Sequence, residues 1–319
     1  MRDQKPHGLN RRTFLSTAGA LGGGALAMPI MVSATIPAQA QDCTASVSAH
    51  AIPKVAMPTP APATDAVAKL SAVGLWYTDT GGDGVPVIFL HPATAAGTVW
   101  GYQQPVFAAA GYRFIAYSRR SYFGSEAGPA ETKATDADDL LELLDSLGIE
   151  KFHGVGVAAG GIRLVDFALS NPKRLASMVL ACTTGGVTDP EYEKISERLL
   201  PEGFAAMPAA FRELSASYRV SNPDGTKAWE AEVERAIPEK RIRLRNKNSI
   251  TWEGIAGLAM PTLLITGDAD LYMPPAVLEL FAEHLPHSEK HVIDGAAHSV
   301  YWEQPDIFNK LVIGFIKRA

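Results

Sequence analysis

The chain has 319 residues, a formal net charge of −5, 47% hydrophobic and 20% charged residues. That composition suits a folded protein with a substantial core, in one large α/β domain or two small ones. A pI near 5.9 and the lack of a basic stripe after the N-terminal segment exclude the electrostatic footprint of nucleic-acid or anionic-membrane binding.

The N-terminal segment is itself informative. Asn10-Arg11-Arg12-Thr13-Phe14-Leu15 precedes a mildly apolar, Gly/Ala-rich run to Ile36 and then Ala38-Gln39-Ala40. Paired arginines before such a run and an A-x-A site predict a twin-arginine export signal over residues 1–40, removed on export to the bacterial periplasm or exterior. The other reading is an uncleaved anchor, which Pro29, Pro37 and Gly22 to Gly24 disfavour. The export machinery is then a partner, with no membrane association after cleavage. Residues 41–70, rich in Ala, Pro, Ser and Thr, read as an extended tether. Cys43 lies in it and Cys182 ends an apolar strand, so the two are expected to be unpaired.

Beyond the tether, strand and helix patterns alternate. Strands are expected at Val85–Leu90, Tyr112–Tyr117, Phe152–Val157, Ser177–Cys182, Thr262–Thr266 and His291–Ile293. Helices are expected at Ala134–Leu147, Ile162–Leu169, Leu278–His284 and Ile307–Ile316. Near-continuous apolar strands separated by helices indicate an α/β fold with a doubly wound, mainly parallel sheet. Its core comprises residues 71–185 and 255–319. Residues 186–254 between them lack a strand pattern and read as an inserted helical cap over the carboxyl edge, where ligands bind.

Candidate chemistry falls at strand ends. Gly156-Val157-Ala158-Ala159-Gly160 has the strand-to-helix context of the G-x-S-x-G nucleophile elbow, with Ala158 where the serine belongs. Leu90-His91-Pro92-Ala93 ends an earlier strand, and the backbone N–H groups of Ala93 and Ala159 are the candidate oxyanion donors. Asp270 follows the strand ending at Thr266, and His298 lies on the small-residue loop Gly295 to Ser299. A surface loop histidine and a solvated turn aspartate are the alternatives; for Asp268 the solvated turn is the better reading. Asp270 followed by His298 on successive strand-end loops matches the acid-then-histidine order of one triad type. His284, His287 and His291 lack an acidic or Cys partner and make a poor metal set, so no metal or cofactor is expected. Ser118 and Ser121 occupy no elbow.

From about residue 71 onward the chain resembles the α/β-hydrolase fold family, in its subgroup of esterases, lactonases, C–C hydrolases and haloperoxidase-like enzymes. His91-Pro92 with Trp100, the run Tyr117 to Ser125, the elbow, Gly267 to Pro274, and His298 with Glu303-Gln304-Pro305 carry the resemblance. It implies Asp270 as triad acid and His298 as triad base, acting on a small molecule. Three positions depart from the family pattern: Pro92 for glycine, Ser121 for glycine, and Ala158 for the nucleophile.

A methyl group cannot attack a carbonyl, and loss of the serine alone costs on the order of 10⁶ in kcat in a protease triad. Acyl-enzyme chemistry through position 158 is thereby excluded for this sequence. Three readings follow. The His298–Asp270 pair works as a general base without a covalent step, on a small, partly apolar molecule; this is preferred. Alternatively the chain is a serine esterase or lactonase whose nucleophile has been replaced. Last, it is a non-catalytic binding member of the fold. For the first, the rate should rise with pH through the imidazole pKa, about 6.5 if unperturbed.

Overall fold

The computed structural model describes residues 52–129, 131–236 and 242–319. The expected signal peptide at 1–40, Cys43 and the first part of the expected tether lie outside them.

One eight-stranded sheet organises the described chain. Its strands are β1 (Thr64–Lys69), β2 (Gly74–Asp79), β3 (Pro86–Leu90), β4 (Arg113–Tyr117), β5 (Phe152–Val157), β6 (Leu175–Ala181), β7 (Thr262–Gly267) and β8 (Ser288–Ile293). The spatial order is β1-β2-β4-β3-β5-β6-β7-β8. β1 and β2 pair antiparallel, as do β2 and β4; every pairing from β4 through β8 is parallel. The doubly wound, mainly parallel sheet expected from the sequence is therefore the fold.

The helices are α1 (Gln104–Ala109), α2 (Asp136–Ser146), α3 (Ala159–Ser170), α4 (Pro190–Leu199), α5 (Ala209–Glu213), α6 (Ala216–Ser221), α7 (Pro223–Ala236), α8 (Trp252–Ala256), α9 (Pro275–Ala282), α10 (Val300–Glu303) and α11 (Pro305–Ile316). Strand alternation divides their packing. In β3, Ile88 and Leu90 join Leu140 of α2, Leu164 of α3 and Phe281 of α9. Val87 and Phe89 join Phe107 of α1 and Val312 of α11 on the other face. Burial on both faces explains why β5 and β7 are buried along their whole length. The stretch expected as a cap, 186–254, holds α4 to α7 and the start of α8, between β6 and β7.

One boundary needs correction. Residues 64–69 fall in the expected tether, yet they form β1, registered from Thr64 opposite Asp79 to Lys69 opposite Gly74. This strand lies at the sheet's edge and is largely exposed; backbone pairing and the packing of Ala68 on the core hold it, and no apolar alternation marks it. The residues before it also bond to the core. Ala61 exchanges two hydrogen bonds with the Gln104 side chain, and Tyr102 Oη donates to the Val55 carbonyl.

Because β3, β5, β6, β7 and β8 run parallel side by side, their carboxyl ends share one edge. Chain connection reverses around β3, which lies between β4 and β5. Such a switch point opens a crevice at the carboxyl edge.

Candidate active site

β5 enters the crevice through a tight turn. Ala158 has φ +50° and ψ −116°, a conformation that side-chain-bearing residues rarely adopt and that costs about 1–3 kcal/mol. Its N–H donates to the Ala181 carbonyl of β6, and its own carbonyl accepts from Gly161 N–H at 3.0 Å as α3 begins. The glycines around it are required by space. A Cβ on Gly160 would sit 2.0 Å from the Leu90 carbonyl oxygen, and one on Gly156 would sit 2.7 Å from the Gly161 Cα. The elbow is thus fully built, with a methyl group at its apex.

Asp270 and His298 meet beneath the same cavity. His298 Nδ1 lies 2.9 Å from Asp270 Oδ2 and 3.0 Å from Oδ1. Asp270 also accepts from the backbone N–H groups of Tyr272 and Met273 at 2.8 and 3.1 Å. Asp268 is exposed and accepts from Gly295 N–H, which fits the turn role read for it. Both members of the pair are buried, at 1% and 6% exposure for Asp270 and His298. The loop carrying His298 is held by Glu303, whose two oxygens accept from Ala297 N–H and Ser215 N–H, each at 2.8 Å.

The cavity has a volume of about 390 Å³ and is lined by Ala93, Ala158, Ala159, Glu213, Tyr272 and His298, among others. The five residues singled out in the sequence therefore face one space or, for Asp270, lie directly behind it. Ala159 opens α3, where first-turn N–H groups have no partner one turn earlier. Ala93 is fixed through its carbonyl, which accepts from Tyr122 Oη at 3.1 Å. Pro92 and Ser121 fit their places: His91 Nδ1 donates to the Pro92 carbonyl, and Ser121 takes the positive φ, +65°, that glycine would otherwise supply. Ser118 Oγ accepts from Gly97 N–H and Ser121 Oγ from Ile242 N–H, and neither lines the cavity.

Sequence reasoning missed two groups. Glu213 of α5 is 4% exposed, and its Oε2 has no hydrogen-bond partner among the described residues. The Tyr272 ring lies 4.3 Å from the His298 ring. Tyr272 stands two residues after Asp270 in the chain and could have been found; Glu213, on an inserted helix, left no spacing signal.

These neighbours set the charge state. Burial alone would depress the His298 imidazole, but Asp270, Glu213 and Glu303 outweigh it and push its pKa up to about 9. The expected titration near 6.5 is therefore moved upward by carboxylates that spacing does not reveal. Burial would raise Asp270, yet the His298 charge and the Met273 and Tyr272 N–H groups hold it below the usual carboxylate range. Burial raises Glu213, with His298 pulling it back.

Cys182 directly follows β6 with φ +50° and is a buried free thiol. With Asp270 and His298 it makes the one grouping of three metal-type donors among the described residues. Asp270 and His298 are spent on each other, and burial and Asp270 push the thiol well above its usual range, which keeps it protonated. His284 of the other histidine set stacks on Trp252 and hydrogen-bonds to the Leu280 carbonyl.

Known proteins share this arrangement of strands and loops. A 2-hydroxy-6-oxononadienedioate/2-hydroxy-6-oxononatrienedioate hydrolase of Burkholderia vietnamiensis is 28% identical over 265 residues, 76% of this chain and 90% of its own. The 3-oxoadipate enol-lactonase 1 of Acinetobacter baylyi is 27% identical over 241 residues, covering 70% of this chain and 87% of its own. A solved thermophilic esterase from Thermogutta terrifontis superposes with a TM-score of 0.65 at 24% identity, over 80% of this chain and 98% of that one. The sequence model described as alpha/beta hydrolase fold matches residues 85–305. By sequence and by fold alike, this chain belongs to the α/β-hydrolase family of enzymes.

Proposed function

We propose that this protein is an exported enzyme acting on a small, partly apolar molecule through a His298–Asp270 general base, with no serine nucleophile. The observation that carries the reading is the pair itself. Asp270 bonds to His298 at 2.9 Å and is braced by two backbone N–H groups, in a cavity where position 158 offers only a methyl group. A binding protein has no physical need for that buried ion pair.

With Nδ1 facing Asp270, the Nε2 atom of neutral His298 is the proton acceptor. It takes a proton from water or from a carbon acid, and Asp270 stabilises the imidazolium that forms. The N–H groups of Ala93 and Ala159 serve as donors to the oxyanion or enolate that develops. Relatives named as a C–C hydrolase and an enol-lactonase support a substrate with an activated carbonyl, in hydrolysis or in a proton-transfer reaction. Helices α4 to α7 act as the cap, with Glu213 and Arg212 contributing to the cavity wall. The Arg11-Arg12 motif supports export.

A second reading has its own support. The strained φ of +50° at Ala158 is the conformation in which a serine hydroxyl would be presented, so the chain also fits a serine esterase or lactonase with its nucleophile replaced. Ala158→Ser separates the two. Under the proposal, the unaltered chain turns over a member of a panel of p-nitrophenyl esters, enol lactones and vinylogous 1,5-diketones, without labelling by a fluorophosphonate. Negligible activity in the unaltered chain, with strong esterase activity and labelling after Ala158→Ser, would establish the second reading.

A further inference from the structure

A second cavity, of about 290 Å³, adjoins the one at His298 and is lined by Arg119, Arg120, Tyr122, Asp136, Arg163 and Arg243. The two spaces share Ala93, Ala159 and Arg243 in their walls, so they meet over the start of α3. Four guanidinium groups surround one small space; Arg119 and Arg120 are buried there, where an unpaired cation is costly, and Arg243 is exposed. Two of the four have a counter-charge. Arg120 donates from Nε and Nη2 to the two oxygens of Asp139, each at 2.7 Å, and Arg163 Nε lies 2.8 Å from Asp136 Oδ2.

Arg119 and Arg243 make no ion pair among the described residues. Arg119 is only 5% exposed. Its Nη2 donates to the Pro92 carbonyl at 3.2 Å, and its charge sits 5.1 Å from the centre of the Tyr122 ring. Nη2 also lies 3.3 Å from His91 Nδ1, but His91 Nε2 accepts from Arg119 N–H, so Nδ1 carries the proton and is no acceptor. Arg119 Nη1 is buried with no acceptor among the described residues. A guanidinium held this way, beside a cavity, lacks one planar anion.

We infer that the second cavity binds a carboxylate of the substrate between Arg119 and Arg243, so that the ligand is a small organic acid extending toward Ala158 and His298. A guanidinium edge matches a carboxylate in shape as well as charge. Asp136 in the same wall favours a singly charged group over a phosphate dianion. The orientation toward His298 rests on the function proposed above; the anion site itself does not.

A binding measurement separates the two. Hexanoate, hexanamide and inorganic phosphate are titrated into the purified protein at pH 7 by NMR, with no turnover required. Hexanoate should bind at least about tenfold more tightly than hexanamide, an electrostatic difference of about 1.4 kcal/mol. Arg243→Gln, at an exposed position, should weaken hexanoate about tenfold and leave hexanamide unchanged; Arg119→Gln, if folded by circular dichroism, should do the same. The titration reads binding with no turnover, so a failure of catalysis leaves this result standing. Equal binding of acid and amide, indifference to Arg243→Gln, or phosphate binding as tightly as hexanoate would overturn the inference.

Discussion

His298 shares its surroundings with the carboxylates of Asp270, Glu213 and Glu303, and that company makes the molecule's stability depend on pH. A histidine raised from about 6.5 to about 9 on folding contributes stability that is complete below the lower value and lost as pH rises through the upper one. The difference corresponds to at most about 3 kcal/mol. At the acid end Asp270 is depressed, so its contribution holds above its ordinary pKa and is lost as pH falls through the depressed one. Urea unfolding at pH 6, 8 and 10 should show the parent weakening with pH and His298→Gln doing so far less. Parallel slopes in the two proteins would mean that His298 is not raised by its neighbours.

At the level of elements, the strands that meet the chemistry were readable and those at the margin were not. β3 to β7 are buried runs of apolar residues, and their carboxyl ends locate Ala93, Ala158 and Asp270; His298 follows β8, a largely exposed strand of which only the end, His291–Ile293, was legible. β1 is exposed along most of its length and β2 mixes Trp76 and Tyr77 with polar residues, so neither shows a pattern until paired. Glu213 escaped notice for a related reason: a helix of the insertion brings it to the cavity, and no local spacing records a long-range approach. The elbow offers a test of how tightly the elements are joined. Gly160→Ala should destabilise by about 3 kcal/mol or more, because its Cβ would meet the backbone oxygen of Leu90 at 2.0 Å. Gly148→Ala, with φ +67° but nothing within 4 Å, should cost only about 1–2 kcal/mol. Equal losses in thermal unfolding would show that α3 can shift away from β3.

For the whole molecule, the sheet turns five strand ends toward one crevice, and the proposal is that this crevice works by proton transfer after export. Export is open to a direct check: Arg11→Lys with Arg12→Lys should leave the precursor in the cytoplasm, and efficient periplasmic delivery of the double variant would remove the twin-arginine assignment. The central claim concerns His298 as a base beside Ala158. Its most direct test is the pH dependence of turnover by the unaltered chain and by His298→Ala, on whichever of the ester, enol-lactone or diketone probes reacts fastest, with mass spectrometry of the quenched protein. The account predicts turnover that rises with pH toward about 9, disappears in His298→Ala and leaves no covalent adduct. Turnover that survives His298→Ala, or a covalent intermediate on the unaltered chain, would contradict it.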